Sequence, residues 1–170
     1  MLTTTRTHLN LIEKKDFSEV IKSFREEGAV KYTKHLQNLS NNEYADFLEN
    51  KRVRSQEGHL FYWVIREKQT QKYIGTIGVM PYLGSDEAFH LGFRISKNAQ
   101  GKGFATEVGQ AVIDFVKNQL QHSSIFGVIM KENIASRKTL EKLGFKFIKS
   151  DLNTDYQIHL DTYQIDFESK

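Results

Sequence analysis

The sequence contains no cysteine, a single proline and no long hydrophobic run in its 170 residues. Without cysteine, disulfide bonds, cysteine-ligated metal sites and thiol nucleophiles are excluded. No segment reaches the about 18 consecutive apolar residues of a membrane-spanning helix, and the N-terminus lacks a signal-peptide core. Lysine and arginine total 24 against 21 aspartates and glutamates, and the charges are dispersed, which does not favour direct nucleic-acid binding. We therefore expect a soluble cytoplasmic protein with no membrane contact.

The order of local signals predicts a single α/β (α+β) domain over residues 1–170. This length is sufficient for one domain with a substantial buried core. Strands come first as a meander and then alternate with helices, which is typical of a mixed, mostly antiparallel sheet flanked by helices. We expect about four helices, the last two over 104–120 and 133–143 with Gly144 as the final stop, and about seven strands, at 6–12, 61–66, 73–82, 89–95, 125–130, 145–148 and 156–167.

Capping residues bound the first two predicted helices. Asp16 is expected to cap a short helix that ends at Gly28. Ser40, followed three residues later by Glu43, forms a capping-box pattern that opens a second helix. The polar, poorly periodic segment 28–39 between them is expected to be a loop. We expect these two helices and their loop to form a wall of a substrate site.

A strand, a glycine-containing loop and a helix start follow one another between Phe89 and Gly109. Gly101 and Gly103 allow positive φ and close approach of the backbone to a ligand. The first N–H groups of the helix have no intrahelical partner, so the turn suits an anion such as phosphate. The motif is too short for a Walker A loop and lacks the third glycine of a dinucleotide fingerprint. The loop residues alone are equally consistent with a plain strand-to-helix turn.

Two motifs add specificity to this loop. Gln100, Gly103 and Ala105 fit the pattern Q/R-x-x-G-x-G/A, and the stretch from Asn133 to Phe145 fits N-x-x-S-x-x-x-L-E-K-L-G-F. Together they resemble the GNAT superfamily of acyl-CoA-dependent N-acetyltransferases. The resemblance covers residues 60–150 most firmly. It is greatest to the ribosomal-protein N-terminal acetyltransferase branch, the RimJ/RimL type.

The resemblance implies acetyl-CoA as co-substrate and no metal. It assigns the pyrophosphate to the backbone N–H groups from Gly101 to Ala105, and the pantetheine arm to Asn133. An asparagine directly before a helix is also a good N-cap whatever its function, so both roles remain open. The implied cofactor-binding residues are Phe93, Ile95, Gln100, Gly101, Lys102, Gly103, Phe104, Ala105, Thr106, Asn133 and Ser136.

The implied reaction is direct attack of an amine on the thioester, with His90 and Ser136 as candidate catalytic residues. His90 stands where family members often have a glutamate base. An imidazole with a pKa of about 6.5 is mostly neutral at pH 7. A histidine on the polar side of the strand without a catalytic task is the alternative. Ser136 could assist the leaving thiolate or be a small residue in a helical turn. Leu140 occupies the position of the family's tyrosine acid, which excludes that acid here.

The favoured acceptor is the N-terminal α-amine of a protein, in particular a ribosomal protein. Deprotonating an α-amine at pH 7 costs about 1 kcal/mol, whereas a lysine costs about 4.6 kcal/mol, so a histidine base favours α-amines. The alternatives are a small amine (polyamine, amino acid or aminoglycoside), a non-catalytic CoA-binding domain, or an interaction domain with a purely structural turn. Tyr32 and Arg94 could line the acceptor cleft, while Trp63 and Tyr82 are expected to pack in the sheet. A homodimer is common in families of this kind.

Overall fold

The computed structural model describes residues 1–167, and for residues 85–87 it describes the backbone without the side chains. The predicted domain therefore extends by residues 168–170 beyond the described part. Within that part, four α-helices flank one eight-stranded sheet. The strands are β1 Leu2–Thr3, β2 Thr7–Leu11, β3 Phe61–Glu67, β4 Tyr73–Tyr82, β5 Ser85–Ile95, β6 Ser124–Met130, β7 Lys146–Asn153 and β8 Ile158–Asp166; the helices are α1 Phe17–Phe24, α2 Asn41–Gln56, α3 Phe104–Asn118 and α4 Ile134–Lys142.

The sheet has the strand order β1-β2-β3-β4-β5-β6-β8-β7. Every neighbouring pair is antiparallel except β5 and β6, which are parallel. The prediction of a mixed, mostly antiparallel sheet is thus confirmed. The additional strand is β1, in which Leu2 pairs with Leu9 of β2. Two residues are too few for an alternating pattern, so the sequence alone does not reveal this strand.

Helices cover both faces of the sheet, and β3 shows why. Successive side chains of a strand point to opposite faces. Trp63 and Ile65 join the cluster that packs under α3 and α4, while Tyr62 and Val64 join the cluster under α1 and α2. All four residues are buried, and each fully buried large apolar side chain contributes about 1.5–3 kcal/mol. The two clusters fix the sheet between two helical layers.

The first helix differs from its prediction at both ends. Asp16 precedes α1 as expected, but its side chain makes no hydrogen bond to that helix. Its carboxylate instead accepts hydrogen bonds from the backbone N–H of Glu13 and from Arg66 on β3, both at 3.0 Å. The helix ends at Phe24, so the prediction that Gly28 ends it is wrong. A tertiary partner on the sheet therefore outweighs the local capping preference of the aspartate.

The second helix begins as predicted. The Ser40 hydroxyl accepts from the Glu43 N–H at 3.2 Å, and the Glu43 carboxylate accepts from the Ser40 N–H at 2.7 Å. These hydrogen bonds lower the pKa of Glu43, with the backbone bond from Ser40 as the largest cause. The segment before it consists of turns, with a short 3-10 turn at Lys34–Leu36.

The parallel pair at the centre of the sheet is short. The register joins only His90 to Phe126 and Leu91 to Gly127. Beyond this point β5 continues to Ile95 in partnership with β4, whereas β6 continues to Met130 in partnership with β8. The facing edges of β5 and β6 therefore separate, and this opening positions the site described next.

Candidate active site

Two adjoining cavities lie where β5 and β6 separate. We call the one of about 590 Å³ the loop cavity, because the segment after β5 lines it, and the one of about 370 Å³ the inner cavity, because β5 and α2 line it. Both volumes fall in or near the range of small-ligand sites, about 300–1,000 Å³. The two cavities share a wall formed by Tyr32, Thr33, Phe93, Arg94, Asn133 and Ser136.

The loop that enters α3 has the backbone of an anion site. Gly101 and Gly103 have φ values of +73° and +80°, in the left-handed region that favours glycine. Gly103 is the N-cap of α3 and provides no side chain to cap it. The N–H groups at the start of α3 therefore remain available to a ligand, and the positive end of the helix dipole favours a negatively charged one.

Arg6 holds this loop from the N-terminal side of the chain. Its guanidinium donates to the Lys102 carbonyl at 3.0 Å and to the Glu107 carboxylate at 2.6 Å, and it lies 4.3 Å from the centre of the Phe104 ring. Burial alone would raise the pKa of Glu107, but hydrogen bonds from Thr4 and Arg6 outweigh it and lower that pKa. Sequence reasoning missed this brace because Arg6 is about a hundred residues away from the loop.

Most of the predicted cofactor residues line the loop cavity. Gln100 donates from Nε2 to the Ile95 carbonyl at 2.9 Å, which holds the loop against the end of β5. Lys102 lines neither cavity; its carbonyl is bound by Arg6. The predicted cofactor residues that line the loop cavity are Phe93, Ile95, Gln100, Gly101, Gly103, Phe104, Ala105, Thr106, Asn133 and Ser136.

Asn133 performs the capping role that its position before a helix predicts. Its Oδ1 accepts from the Ser136 N–H at 3.2 Å and so caps α4. Further along the same helix, Lys138 and Lys142 line the loop cavity one turn apart. Glu26 and Glu27 also line this cavity, and the Glu26 carboxylate accepts from the backbone N–H of Lys97 at 2.9 Å. The helix N–H groups and the lysines of the loop cavity suit a ligand that carries phosphates.

His90 lies in the wall of the inner cavity on β5. Burial lowers its pKa, the positive charge of Lys51 lowers it further, and the backbone carbonyls of Pro81 and Met80 act in the opposite direction. Because the net pKa is below the ordinary value of 6.5, the imidazole is neutral at pH 7. It can therefore accept a proton.

Ser136 and Leu140 follow one another on the cavity side of α4. Ser136 lies in the wall shared by the two cavities, on the path between the loop and His90. Leu140 is fully buried and packs so tightly on Gly127 that a Cβ at that glycine would lie 2.8 Å from it. The position of the family's tyrosine acid is thus filled by an apolar side chain that belongs to the core.

Sequence reasoning missed three basic residues of the inner cavity, Lys51 on α2 and both Lys34 and His35 in the segment before it. The Lys51 ammonium lies 3.3 Å from the Met80 sulfur and 5.2 Å from the centre of the Phe47 ring. Burial lowers the pKa of Lys51 to about 8, with Arg54 as a second cause. Desolvation and then the charges of Lys51 and Arg94 lower the pKa of His35, although the residue as a whole is exposed. No sequence motif joins these residues, because only the fold brings them together.

The aromatic residues divide as the sequence indicates. Tyr32 lines both cavities, and so does Arg94. Trp63 is buried and stacks on Phe61 with 5.7 Å between ring centres. Tyr82 stacks on Phe126 at 4.2 Å. Trp63 and Tyr82 line neither cavity and pack on the sheet, as expected.

Comparison with known proteins decides the family. The model of the acetyltransferase (GNAT) domain matches residues 6–146. The chain belongs to the GNAT acetyltransferase family. It is an acyltransferase, and its fold is the single GNAT domain that the two motifs predict. Curated relatives are distant. The chain is 28% identical to the uncharacterized N-acetyltransferase YoaA of Bacillus subtilis (strain 168), over 86% of this chain and 82% of that protein.

Other relatives match over a shorter length. The chain is 25% identical to the uncharacterized protein YkkB of Bacillus subtilis (strain 168) over 57% of its own length, and it spans 58% of YkkB. The family rests on the matched domain model, and identities at this level leave the acceptor of this GNAT acetyltransferase to be argued from its own cavities.

Solved structures with the same fold include two that contain the cofactor. RimL, a ribosomal L7/L12 α-N-protein acetyltransferase in complex with coenzyme A, superposes with a TM-score of 0.85 at 14% identity, covering 96% of this chain and 95% of that one. The microcin C7 self-immunity acetyltransferase MccE, in complex with acetyl-CoA and AMP, has a TM-score of 0.82 at 15% identity, with coverages of 96% and 93%. At these identities the likeness shows the fold alone.

Among the side chains that the structure describes, no three histidine, aspartate or glutamate residues are grouped as metal ligands would be. None of the helices described is both long enough and apolar enough to cross a membrane.

Proposed function

We propose that this GNAT acetyltransferase moves the acetyl group of acetyl-CoA to the N-terminal α-amine of a protein, with a ribosomal protein as the favoured acceptor. The observation that carries the proposal is the shared wall of the two cavities. On one side of it the start of α3 offers N–H groups to phosphates, and on the other side lies the neutral imidazole of His90. RimL, which acts on a ribosomal protein α-amine, has the same fold and supports the choice of acceptor.

The loop cavity fits the cofactor. The N–H groups from Gly101 to Ala105 would hold the pyrophosphate, and Lys138 and Lys142 would add positive charge. Phe93 and Asn133 in the shared wall would flank the arm that carries the thioester. The cofactor supplies the activated acetyl group when it is bound. The protein supplies the position of that group next to the inner cavity, which makes the attack effectively intramolecular.

His90 then serves as the proton acceptor in the inner cavity. The amine nitrogen attacks the thioester carbonyl and forms the new C–N bond, and its proton passes to the His90 imidazole. The C–S bond breaks as the tetrahedral centre collapses. The Ser136 hydroxyl, in the shared wall, donates a hydrogen bond to the departing thiolate, which takes its proton from water. No covalent intermediate on the protein is needed.

A base of this kind selects the amine by its pKa. At pH 7 the free form of an α-amine lies about 1 kcal/mol above its protonated form, and that of a lysine about 4.6 kcal/mol above. A neutral histidine of lowered pKa is too weak a base to offset the second cost. The amine of a protein N-terminus is therefore the better acceptor.

The test is acetylation of a peptide that carries both kinds of amine. A hexapeptide with a free N-terminal serine and one internal lysine is incubated with the protein and acetyl-CoA, thiol release is followed, and mass spectrometry locates the acetyl group. We expect the acetyl group on the α-amine. The matched control has the same sequence with a blocked N-terminus and should release no thiol. Acetylation of the lysine side chain in both peptides would contradict the proposal.

The volume of the inner cavity favours one second candidate. A cavity of about 370 Å³ can enclose a whole small amine, such as a free amino acid. In that case the hexapeptide would release no thiol and the free amino acid would.

A further inference from the structure

Several basic side chains line the inner cavity. Lys34, Lys51 and Arg94 contribute positive charges, and His35 and His90 stand beside them. Among the described side chains that line this cavity, none is an aspartate or a glutamate. The walls are otherwise aromatic, aliphatic or uncharged polar. The cavity in which the amine must lie is therefore positive before any ligand enters.

Lys51 is half-buried and has no carboxylate partner among the described side chains. Its ammonium contacts a thioether and an aromatic ring, at 3.3 Å from the Met80 sulfur and 5.2 Å from the centre of Phe47. It takes part in none of the ion pairs formed within the described residues. A half-buried ammonium without a carboxylate loses hydration that its neighbours do not replace.

Arg94 supplies a second, oriented charge. Its Nε donates to the Ala29 carbonyl at 3.0 Å and its Nη2 to the Thr33 hydroxyl at 2.8 Å. The guanidinium also lies 4.6 Å from the centre of the Phe24 ring. These neutral partners fix the direction of the side chain in the wall of both cavities without neutralising it. A guanidinium held in this way is suited to recognise an anionic group with little further ordering.

Lys51 and Arg94 act on the same region of the inner cavity. The pKa of His35 is lowered by desolvation and by both Lys51 and Arg94, and the pKa of His90 is lowered by burial and by Lys51. Each histidine thus responds to a positive field that no described carboxylate in the cavity wall offsets. A bound anion would offset that field, whereas a second cation would add to it.

We propose that the inner cavity selects an acceptor amine that carries a carboxylate, and that Lys51 binds this carboxylate with support from Arg94. The inference rests on the proposed function and narrows its acceptor. The favoured source is a protein N-terminus with an acidic residue next to the reactive amine, and a free acidic amino acid offers the same chemistry. Polyamines and aminoglycosides are excluded by the same field, since each brings further positive charges.

The test compares three hexapeptides that differ only at the second position, which is glutamate, glutamine or lysine. Thiol release gives kcat/KM for each, with glutamate α-amide and glutamine α-amide, which differ only in the side-chain carboxylate, as a separate pair of small amines. The CoA-loaded protein is also titrated with every compound by calorimetry. The variants are Lys51→Met, which keeps the length of the side chain, Lys51→Arg, which keeps the charge, and Lys22→Met as a matched control on the exposed side of α1.

We expect kcat/KM for the glutamate peptide to be about tenfold higher than for the glutamine peptide, because a partly buried hydrogen bond between charged groups contributes about that much. The lysine peptide should have a lower kcat/KM than either. Lys51→Met should abolish this preference with the affinity for acetyl-CoA unchanged. Lys51→Arg and Lys22→Met should retain it. Loss of the preference in Lys22→Met as well would contradict a specific role for Lys51.

The other outcomes distinguish failure of the carboxylate selection from failure of the proposed acetyltransferase function. Equal turnover of the three peptides would overturn selection by charge and leave the N-terminal acetyltransferase intact. Turnover of glutamate α-amide over glutamine α-amide, without turnover of any peptide, would support the carboxylate and overturn the protein acceptor. If nothing is turned over, the titration decides: tighter binding of the glutamate compounds supports the inference, and equal or absent binding overturns it.

Discussion

At the scale of single residues, the surroundings of His90 and Lys51 determine the protonation of the inner cavity. Burial lowers the pKa of both groups, and Lys51 lowers that of His90 further. The sequence predicted His90 because its strand position matches a family pattern. It could not predict Lys51, because α2 is polar along most of its length and nothing local distinguishes this lysine from its neighbours. What distinguishes Lys51 is the pocket that distant segments form around it.

His90 should control the pH dependence of the reaction. The neutral imidazole is the active form, so kcat/KM should rise with pH through a pKa below 6.5 and then become independent of this group at higher pH. His90→Gln should lower kcat/KM by about 10²–10⁴, the usual contribution of a general base, and remove that rise. His159→Gln, an exposed histidine outside both cavities, is the control and should behave as the wild type. An unchanged profile in His90→Gln would remove the assignment.

Lys51→Met should stabilise the fold in a pH-dependent way. The folded pKa of about 8 lies below the ordinary 10.5, so below pH 8 the lysine is charged in both states and the folded protein bears the full cost of burial. Between pH 8 and pH 10.5 the folded state loses the Lys51 proton before the unfolded state does, so the free-energy cost of burying the charge decreases. We expect a gain of about 1–2 kcal/mol at pH 7 after allowance for solvent screening, or about 2–8 °C in Tm. Thermal melts at pH 7 and pH 10 measure it, and a gain that grows with pH would be inconsistent with a charged, buried Lys51.

At the scale of elements, local signals succeed where the partners are close in sequence. Ser40 and Glu43 cap α2 as predicted, since each satisfies the other within one turn. Asp16 does not cap α1, because Arg66 from β3 binds its carboxylate. The loop from Gln100 to Phe104 was predictable from its glycines, yet the brace that holds it comes from Arg6, at the other end of the chain. Contacts between distant segments are what the sequence does not reveal.

Gly103 and Gly58 provide a matched pair for the loop. Their φ values are +80° and +78°, and a Cβ at either would have open space or ordinary contact around it, so alanine should cost about 1–2 kcal/mol of stability at both positions. Gly103 caps α3 in the loop cavity, whereas Gly58 follows α2 outside both cavities. We therefore expect Gly103→Ala alone to raise the Kd for acetyl-CoA in a calorimetric titration. Equal affinities of the two variants would contradict the role of this turn.

At the scale of the whole molecule, the site depends on the separation of two parallel strands. Motifs and alternation predicted the sheet, the flanking helices and the position of the loop, since these follow from period and from glycine placement. The short pairing of β5 with β6 at His90 and Leu91 could not be predicted, because register depends on how both strands are held by their other neighbours. That separation creates the two cavities and the wall between them. The charge of the inner cavity is likewise a property of the assembled fold.

The most direct test of the account is calorimetric titration of the purified protein with acetyl-CoA and with CoA. The N–H groups after Gly101 and the basic residues of the loop cavity predict saturable, micromolar binding of both, since both carry the pyrophosphate. Absence of binding at millimolar concentration would contradict the assignment of the loop cavity to the cofactor, and with it the proposed acetyl transfer.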